Sequence, residues 1–510
     1  MQEKEQQFFR KVAVLTMALF LLVAGPIWAT QNYAADVVVI GGGAAGLSAA
    51  LTAAQGGATV VVLEKDRRLG GTAVFAEGIF GVETNMQRLK WIGLTRDEVF
   101  NEEMDDTRWT ANAPLVRRFH NQSASTIDWL VEQGVKFEGP AKNFYGNNPT
   151  WHLIEGHGAA LIKALQIQIK KTGKVQILLQ TPGQKLIIEK GRVVGVKGVN
   201  RFGEEVVARA HGGVIIATGG FANNQEMLKK YTGEEHIISA TPLQKTGDGI
   251  NMAIAAGAAV EGMSTIQYVA TMDVPPGRGP DLTIGALGVS PRNVWVNGFG
   301  KRFANEYVAF DFPFAANAIK RQQQAWAIFD ENLKHYYMTK GIDAGLGVLV
   351  PPGKKFPNFD AIWNGAIAAG NPYVAKAASL QALADKIHLP YENLKKTFAE
   401  YNKGAAVNKD FAFGKDDRWL DAIDTNGPLY AVKIKEVMLT TVGGVKVDAQ
   451  LHPLNQAEER VVTGLYMTGN DVGGLYGDTY TLTDASGSTF GFAVNSGRMA
   501  AQSILAELNK

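Results

Sequence analysis

The chain is predicted to be α/β, opening on a strand, glycine turn, helix, strand unit, and three observations predict it. Residues 36–40 are a β-branched run, residues 41–46 read GGGAAG, and residues 47–55 carry a small-residue helical stretch. A second apolar run at 58–63 ends on Glu64. Two later runs, VIIATGG at 214–220 and GLYMTGND at 464–471, read as buried strands that finish in small residues. With 510 residues and 46% apolar content, the chain can bury more than one core.

Each position of the opening unit has a physical task. Gly41 permits the tight turn, Gly43 lets backbone approach a pyrophosphate, and Gly46 lets the helix pack on the sheet. Ala44 and Ala45 keep the first helical turn small, so its N–H groups face the phosphates. Glu64 lies 21 residues beyond Gly43, where its carboxylate accepts ribose hydroxyls. The unit predicts a dinucleotide and leaves FAD and NAD both open.

Composition narrows the function. The 51 basic and 49 acidic side chains nearly cancel, which argues against a nucleic-acid partner and for a small-molecule protein. The chain has 0 cysteines, so disulfides, iron–sulfur clusters, thiolate metal sites and CxxCH haem attachment are excluded. His152 and His157, five apart, are the nearest approach to metal-ligand spacing, and no metal is expected. At the N-terminus, Lys4, Arg10 and Lys11 precede an apolar run at 12–24, then Pro26 and Ala29. That pattern is an export signal, with a retained membrane anchor as the alternative. Without an Arg-Arg pair, it predicts Sec-type export of the unfolded chain to the periplasm or another extracytoplasmic space, with cofactor binding afterwards.

Gly70, Gly71 and Thr72, then residues 76–78 (AEG), continue the glycine-rich path beyond Glu64 and Lys65. Together with Ala217, Thr218 and Gly219, with TGDGINMAIAAGA at 246–258, and with Gly469 and Asn470, this pattern resembles the fumarate reductase and succinate dehydrogenase flavoprotein superfamily. The resemblance implies a discontinuous Rossmann-like FAD-binding domain with an inserted α+β capping domain. The division expected is a signal or anchor at 1–34, FAD-binding parts at 35–265 and 437–510, and a capping domain at 266–436. It also implies that Asp248 contacts the cofactor and that Thr489 and Phe490 present backbone to it. Covalent members attach flavin where this chain carries residues 72–78, which lack histidine, so the FAD is expected to be non-covalent. Within the cap, residues 293–297 (NVWVN) and GFGK predict a strand and hairpin turn, and residues 377–403 have amphipathic helical spacing.

The dicarboxylate machinery of the fumarate reductases is missing. The landmark Arg302-Phe303-Ala304-Asn305-Glu306 is present, yet Phe310 stands where the proton-donating arginine is expected. Ala286 and Val289 occupy the relay positions, Val269 and Thr440 those of the substrate histidines, and Tyr480 or Asp484 that of the clamping arginine. Residues 469–471 and 477–480 look more like the 3-oxosteroid dehydrogenase branch, whose tyrosine polarises a ketone. Tyr480 is therefore a catalytic candidate, with Arg292 and Tyr268 as further proton-donor or substrate-binding candidates. Phe310, Phe312, Phe314 and Trp295 offer either an apolar pocket or cap core.

The expected activity is an extracytoplasmic FAD-dependent reductase of an activated carbon–carbon double bond, an enoate or enone, in a small organic substrate. A separate donor, a cytochrome c or a quinone-linked carrier, would supply electrons, as the chain has no second nucleotide motif. The alternatives are a dehydrogenase of a cyclic ketone and a flavin-binding protein without turnover.

Overall fold

A computed structural model describes residues 30–142, 146–235, 237–240, 244–275, 281–347 and 350–509. The export-signal reading at 1–29 lies outside them. The opening strand spans Gln31–Ile40 and therefore starts earlier than the β-branched run. Residues 31–34, expected to belong to the leader, pair with Val206, Val207, Ala208 and Arg209. Their side chains are polar or half-exposed and show no apolar run, which is why the sequence hid this part of the strand.

From Val37 onward the strand is buried between parallel neighbours, Val60–Leu63 on one side and Glu205–Ile216 on the other. Burial on both faces accounts for the unbroken valine and isoleucine run. The same sheet continues to Val175–Leu178 at one edge and to the antiparallel strands Arg192–Val199 and Gly183–Glu189 at the other. Leu465–Met467, from near the end of the chain, adds in parallel to Glu205–Ile216. The helix Ala44–Gln55 packs on this sheet and against the C-terminal helix Ser488–Leu508. Their close approach depends on Gly497, where a Cβ would stand 2.1 Å from the Ala45 carbonyl oxygen.

A second, antiparallel sheet is drawn from residues 266–441, so its strands interrupt those of the first in the chain. Its order is Ile266–Met272, Leu429–Thr441, Ala325–Asp330, Val294–Asn297, and Val374–Ala377 pairs with Leu429–Thr441. The hairpin read from NVWVN-GFGK is present: Val294–Asn297 ends in a turn in which the Lys301 carbonyl accepts the Asn297 N–H at 2.9 Å. The amphipathic stretch at 377–403 forms two helices, Leu380–Lys386 and Tyr391–Ala405. Pro390 separates them at the N-cap of the second, because its ring and missing N–H cannot continue a helix.

The RFANE landmark is a structural lock within this second sheet. Glu306 is fully buried and accepts two hydrogen bonds from Arg302, at 2.8 and 2.6 Å, and one from the Trp295 N–H at 3.1 Å. Arg302 also reaches Asp410 at 2.8 Å, and Lys415 lies 3.2 Å from Glu306. Alternating charges compensate one another, so removing one member would strand the others in low dielectric. Among the described residues, no helix is long and apolar enough to cross a membrane.

Candidate functional site

The parallel strands of the first sheet end together at Ile40, Leu63, Ile216 and Met467, and the turns that follow them line a solvent-open cleft of about 410 Å³. Ligand clefts of open α/β sheets form at this carboxyl edge. The cleft is lined by Gly41, Gly43, Ala44 and Ala45, by Glu64 and Lys65, and by Gly70, Gly71 and Thr72. Ala217, Thr218 and Gly219, then Asp248, Gly469, Asn470, Thr489 and Phe490 complete the set expected to hold a cofactor. Gly46 lies beneath it: a Cβ there would meet the Gly41 carbonyl oxygen at 1.9 Å, so its task is helix-to-turn packing.

The geometry of the glycine turn fits a bound pyrophosphate. Gly41 has φ +109°, and a Cβ would stand 2.2 Å from the Ala217 carbonyl oxygen. At Gly43 the nearest atom to such a Cβ is 3.9 Å away, which leaves space for a ligand beside the backbone. The helix Ala44–Gln55 has no side-chain cap and no acid in its first turn, so its orphan N–H groups and positive dipole end remain available. Glu64 accepts the Gly42 N–H at 2.6 Å and the Asp66 N–H at 2.7 Å, one on each carboxylate oxygen. Burial raises its pKa against those donors, and each oxygen keeps a lone pair for a ribose hydroxyl. Lys65 donates to Asp248 at 2.9 Å and to Thr246 at 2.8 Å, tying the acid's strand end to the helix Asp248–Ala255.

A residue the sequence reading passed over holds the opposite wall. Asp471 is fully buried, and its carboxylate accepts the N–H groups of Thr218, Gly219 (3.1 Å) and Gly220 (3.1 Å) together with the Thr218 hydroxyl (2.9 Å). Burial pushes its pKa up, opposed by those four donors. It fixes the ATGG turn, in which Gly219 and Gly220 have φ +90° and +84°. Its place at the end of GLYMTGND was the available signal.

Tyr480 lines the same cleft, as do the apolar Val269, Leu282, Phe312, Val437, Leu439 and Leu482 and the polar Gln267, Thr271 and Thr440. Burial pushes the Tyr480 hydroxyl up to about 12, offset by the Thr489 and Ser488 hydroxyls. Its ring is 5.1 Å from that of Tyr476, which itself donates to Ser488 at 2.9 Å. Of the positions where the resemblance places the catalytic and substrate-binding residues of fumarate reductases, Val269, Thr440 and Tyr480 line the cleft, while Ala286, Val289 and Phe310 are buried outside its lining. Lys245 also lines the cleft; its Nζ donates to the Thr440 hydroxyl at 2.9 Å, and Asn470 Nδ2 donates to the same oxygen at 2.9 Å. A lysine just before Thr246-Gly247-Asp248 reads as an exposed turn residue, so nothing in the pattern singles it out.

The structure keeps two catalytic candidates out of the cleft lining. Arg292 is bound by Asp343 at 2.7 Å and Asp421 at 2.7 Å and lies over the Tyr336 ring at 4.3 Å. Although burial opposes its charge, the two carboxylates hold it firmly protonated, so it ties the start of the strand Val294–Asn297 to the segments that carry Asp343 and Asp421. Tyr268 points its hydroxyl toward Glu234 at 3.4 Å, with Lys320 4.8 Å from its ring, and burial with Glu234 and Glu436 raises its pKa. Of the four aromatics, only Phe312 lines the cleft; Trp295 and Phe310 are core and Phe314 is exposed. His152 is buried beside Thr84 at 2.8 Å, and among the described residues no group of acids and histidines is arranged to hold a metal.

Comparison with known proteins agrees with this geometry. Residues 36–486 match the family described as FAD binding domain. Vinyl phenol reductase of Lactiplantibacillus plantarum is 34% identical over 491 residues, covering 92% of this chain and 96% of that protein. Fumarate reductase (cytochrome) of Shewanella frigidimarina is 29% identical over 452 residues, 87% of this chain and 72% of that one. The crystal structure of 3-ketosteroid delta1-dehydrogenase from Sterolibacterium denitrificans superposes with a TM-score of 0.76 at 22% identity, covering 93% of this chain and 100% of that chain.

Proposed function

As a member of the FAD binding domain family, this chain is an FAD-dependent oxidoreductase, and we propose that it reduces an activated carbon–carbon double bond in a small, largely apolar substrate. The observation that carries the reading is a cleft whose lining joins a buried tyrosine, held protonated near neutrality, with aliphatic and aromatic side chains and the glycine-rich turns. The similarity to vinyl phenol reductase along almost the whole of both chains supports it.

In this reading the cofactor is held without a covalent bond, by Gly43, Ala44 and Ala45 at the pyrophosphate, Glu64 at a ribose, and the turns 70–72, 217–219 and 469–470 along its length. When bound, FAD supplies a hydride to one carbon of the double bond. Tyr480 donates a hydrogen bond to the activating group or a proton to the neighbouring carbon, and its raised pKa keeps it protonated near neutrality. Val269, Leu282, Phe312, Val437 and Leu439 exclude water and fix the apolar body. Gly41 and Gly46 set the cradle, and Asp248 with Lys65 closes its adenosine end. Arg292 and Tyr268 brace the cap. The working division is a leader or anchor, a discontinuous FAD-binding part and an inserted cap. The site of action is extracytoplasmic, with electrons arriving from a separate carrier such as a cytochrome c.

An anaerobic assay with reduced viologen dye tests this against a panel of enoates, enones and vinylphenols, with cyclic ketones plus an artificial electron acceptor run in parallel. Dye oxidation dependent on a double-bond substrate, with one saturated product per two electrons, is expected. Turnover confined to the cyclic ketones would replace the reading with a dehydrogenase, and no turnover on either arm would leave a flavin-binding protein.

A further inference from the structure

Resting on the reading above, we propose that Lys245 binds the substrate's anionic oxygen, so that the preferred substrate is a 2-enoate: a carboxylate head at Lys245 and an apolar body against the cleft wall. Among the described residues, six side chains that carry charge near neutrality line the cleft: Glu64, Lys65, Asp66, Glu77, Lys245 and Asp248. Of the two cations, Lys65 is already ion-paired to Asp248. Lys245 is 5% exposed, and its ammonium is held by one neutral oxygen, the Thr440 hydroxyl, which Asn470 also serves. An ammonium carries three donors, so two remain for a ligand.

Among the described residues, the surrounding elements offer Lys245 no counter-charge. Asp471, on the neighbouring turn, directs its carboxylate to the amides of Thr218, Gly219 and Gly220. Glu436, on the strand that carries Thr440, feels the opposite charges of Lys435 and Lys320 and the like charge of Glu234. Burial alone lowers the Lys245 pKa to about 8, with no carboxylate contributing. A buried cation without a partner costs several kcal/mol unless a ligand supplies the opposite charge. The aliphatic stem runs past the ATGG turn, 3.7 Å from where a Gly219 Cβ would stand, which carries the ammonium toward Thr440. Thr440 is where the resemblance places a substrate histidine, so a cation reaching it from a different segment offers a replacement anchor.

Calorimetric titration of the FAD-loaded protein with saturated product analogues tests the assignment without turnover. At pH 7, 3-phenylpropionate is expected to bind at least about 30-fold more tightly than 3-phenylpropionamide or 4-ethylphenol. Lys245→Met should abolish that preference while FAD content is retained, and Lys245→Arg should restore part of it. For the wild type, affinity for the acid should fall about tenfold per pH unit above about 8, as the free lysine loses its proton. The proposal is overturned if the acid does not bind or is not preferred, if Lys245→Met keeps the preference, or if that variant loses FAD, which would make the cofactor the counter-charge. Whether any double bond is reduced bears on the activity alone and leaves these outcomes readable.

Discussion

Tyr480 illustrates what a single residue contributes beyond its chemical type. It lines the cleft, and its raised pKa keeps the proton on the oxygen throughout the neutral range, where it can be donated. Replacing it by phenylalanine should lower kcat about 100-fold with a small change in KM, since general-acid contributions are of that order. Unchanged turnover of the Tyr480→Phe protein would remove it from the mechanism. The sequence alone ranked Tyr480 beside Arg292 and Tyr268, because each is an ionisable or hydrogen-bonding residue near a motif. Packing separates them: Arg292 is consumed by Asp343 and Asp421, and Tyr268 faces Glu234. Neither contact is visible in the sequence, since the partners lie 51, 129 and 34 residues away.

At the scale of elements, the cradle depends on strand ends that are held by other strand ends. Asp471 follows the strand Leu465–Met467 and gathers the amides that follow the strand Glu205–Ile216. An asparagine in its place presents a donor where a carboxylate oxygen accepted, leaving buried N–H groups unsatisfied at about 1–3 kcal/mol. Asp471→Asn should therefore weaken FAD binding by roughly ten- to 100-fold, measured by quenching of flavin fluorescence on titration. Undiminished affinity would mean that the ATGG turn holds its shape without the tether. The glycine turn and its strands were legible beforehand because a buried parallel strand leaves an apolar run and a tight turn leaves glycines. The tether was not, because an aspartate after a strand reads equally as an ordinary turn residue. The early start of the first strand was hidden for a related reason: polar residues 31–34 are ordered by pairing with the strand Glu205–Ile216, not by burial.

Across the whole molecule, the two sheets divide the work. The parallel sheet brings its carboxyl ends to one edge, where its turns line the cleft, and the antiparallel sheet, with Ile266–Met272 and Leu429–Thr441, adds Gln267, Val269, Val437 and Thr440 to the same lining. The cradle could be read from the chain because most of its parts are motif residues in a fixed order. The rest of the lining could not, because its members are scattered over residues 245–490 and meet only after both sheets have formed. Arg302 and Glu306 show the converse, a landmark of the resemblance whose side chains form a buried ion-pair network beside the antiparallel sheet. The measurement that tests the account most directly is a single turnover, in which the FAD-loaded protein is photoreduced without oxygen and mixed with an excess of a 2-enoate. The account predicts full return of the oxidised flavin spectrum with one saturated product formed per flavin. Flavin that stays reduced with every double-bond substrate offered, or purified protein that takes up no FAD, would contradict it.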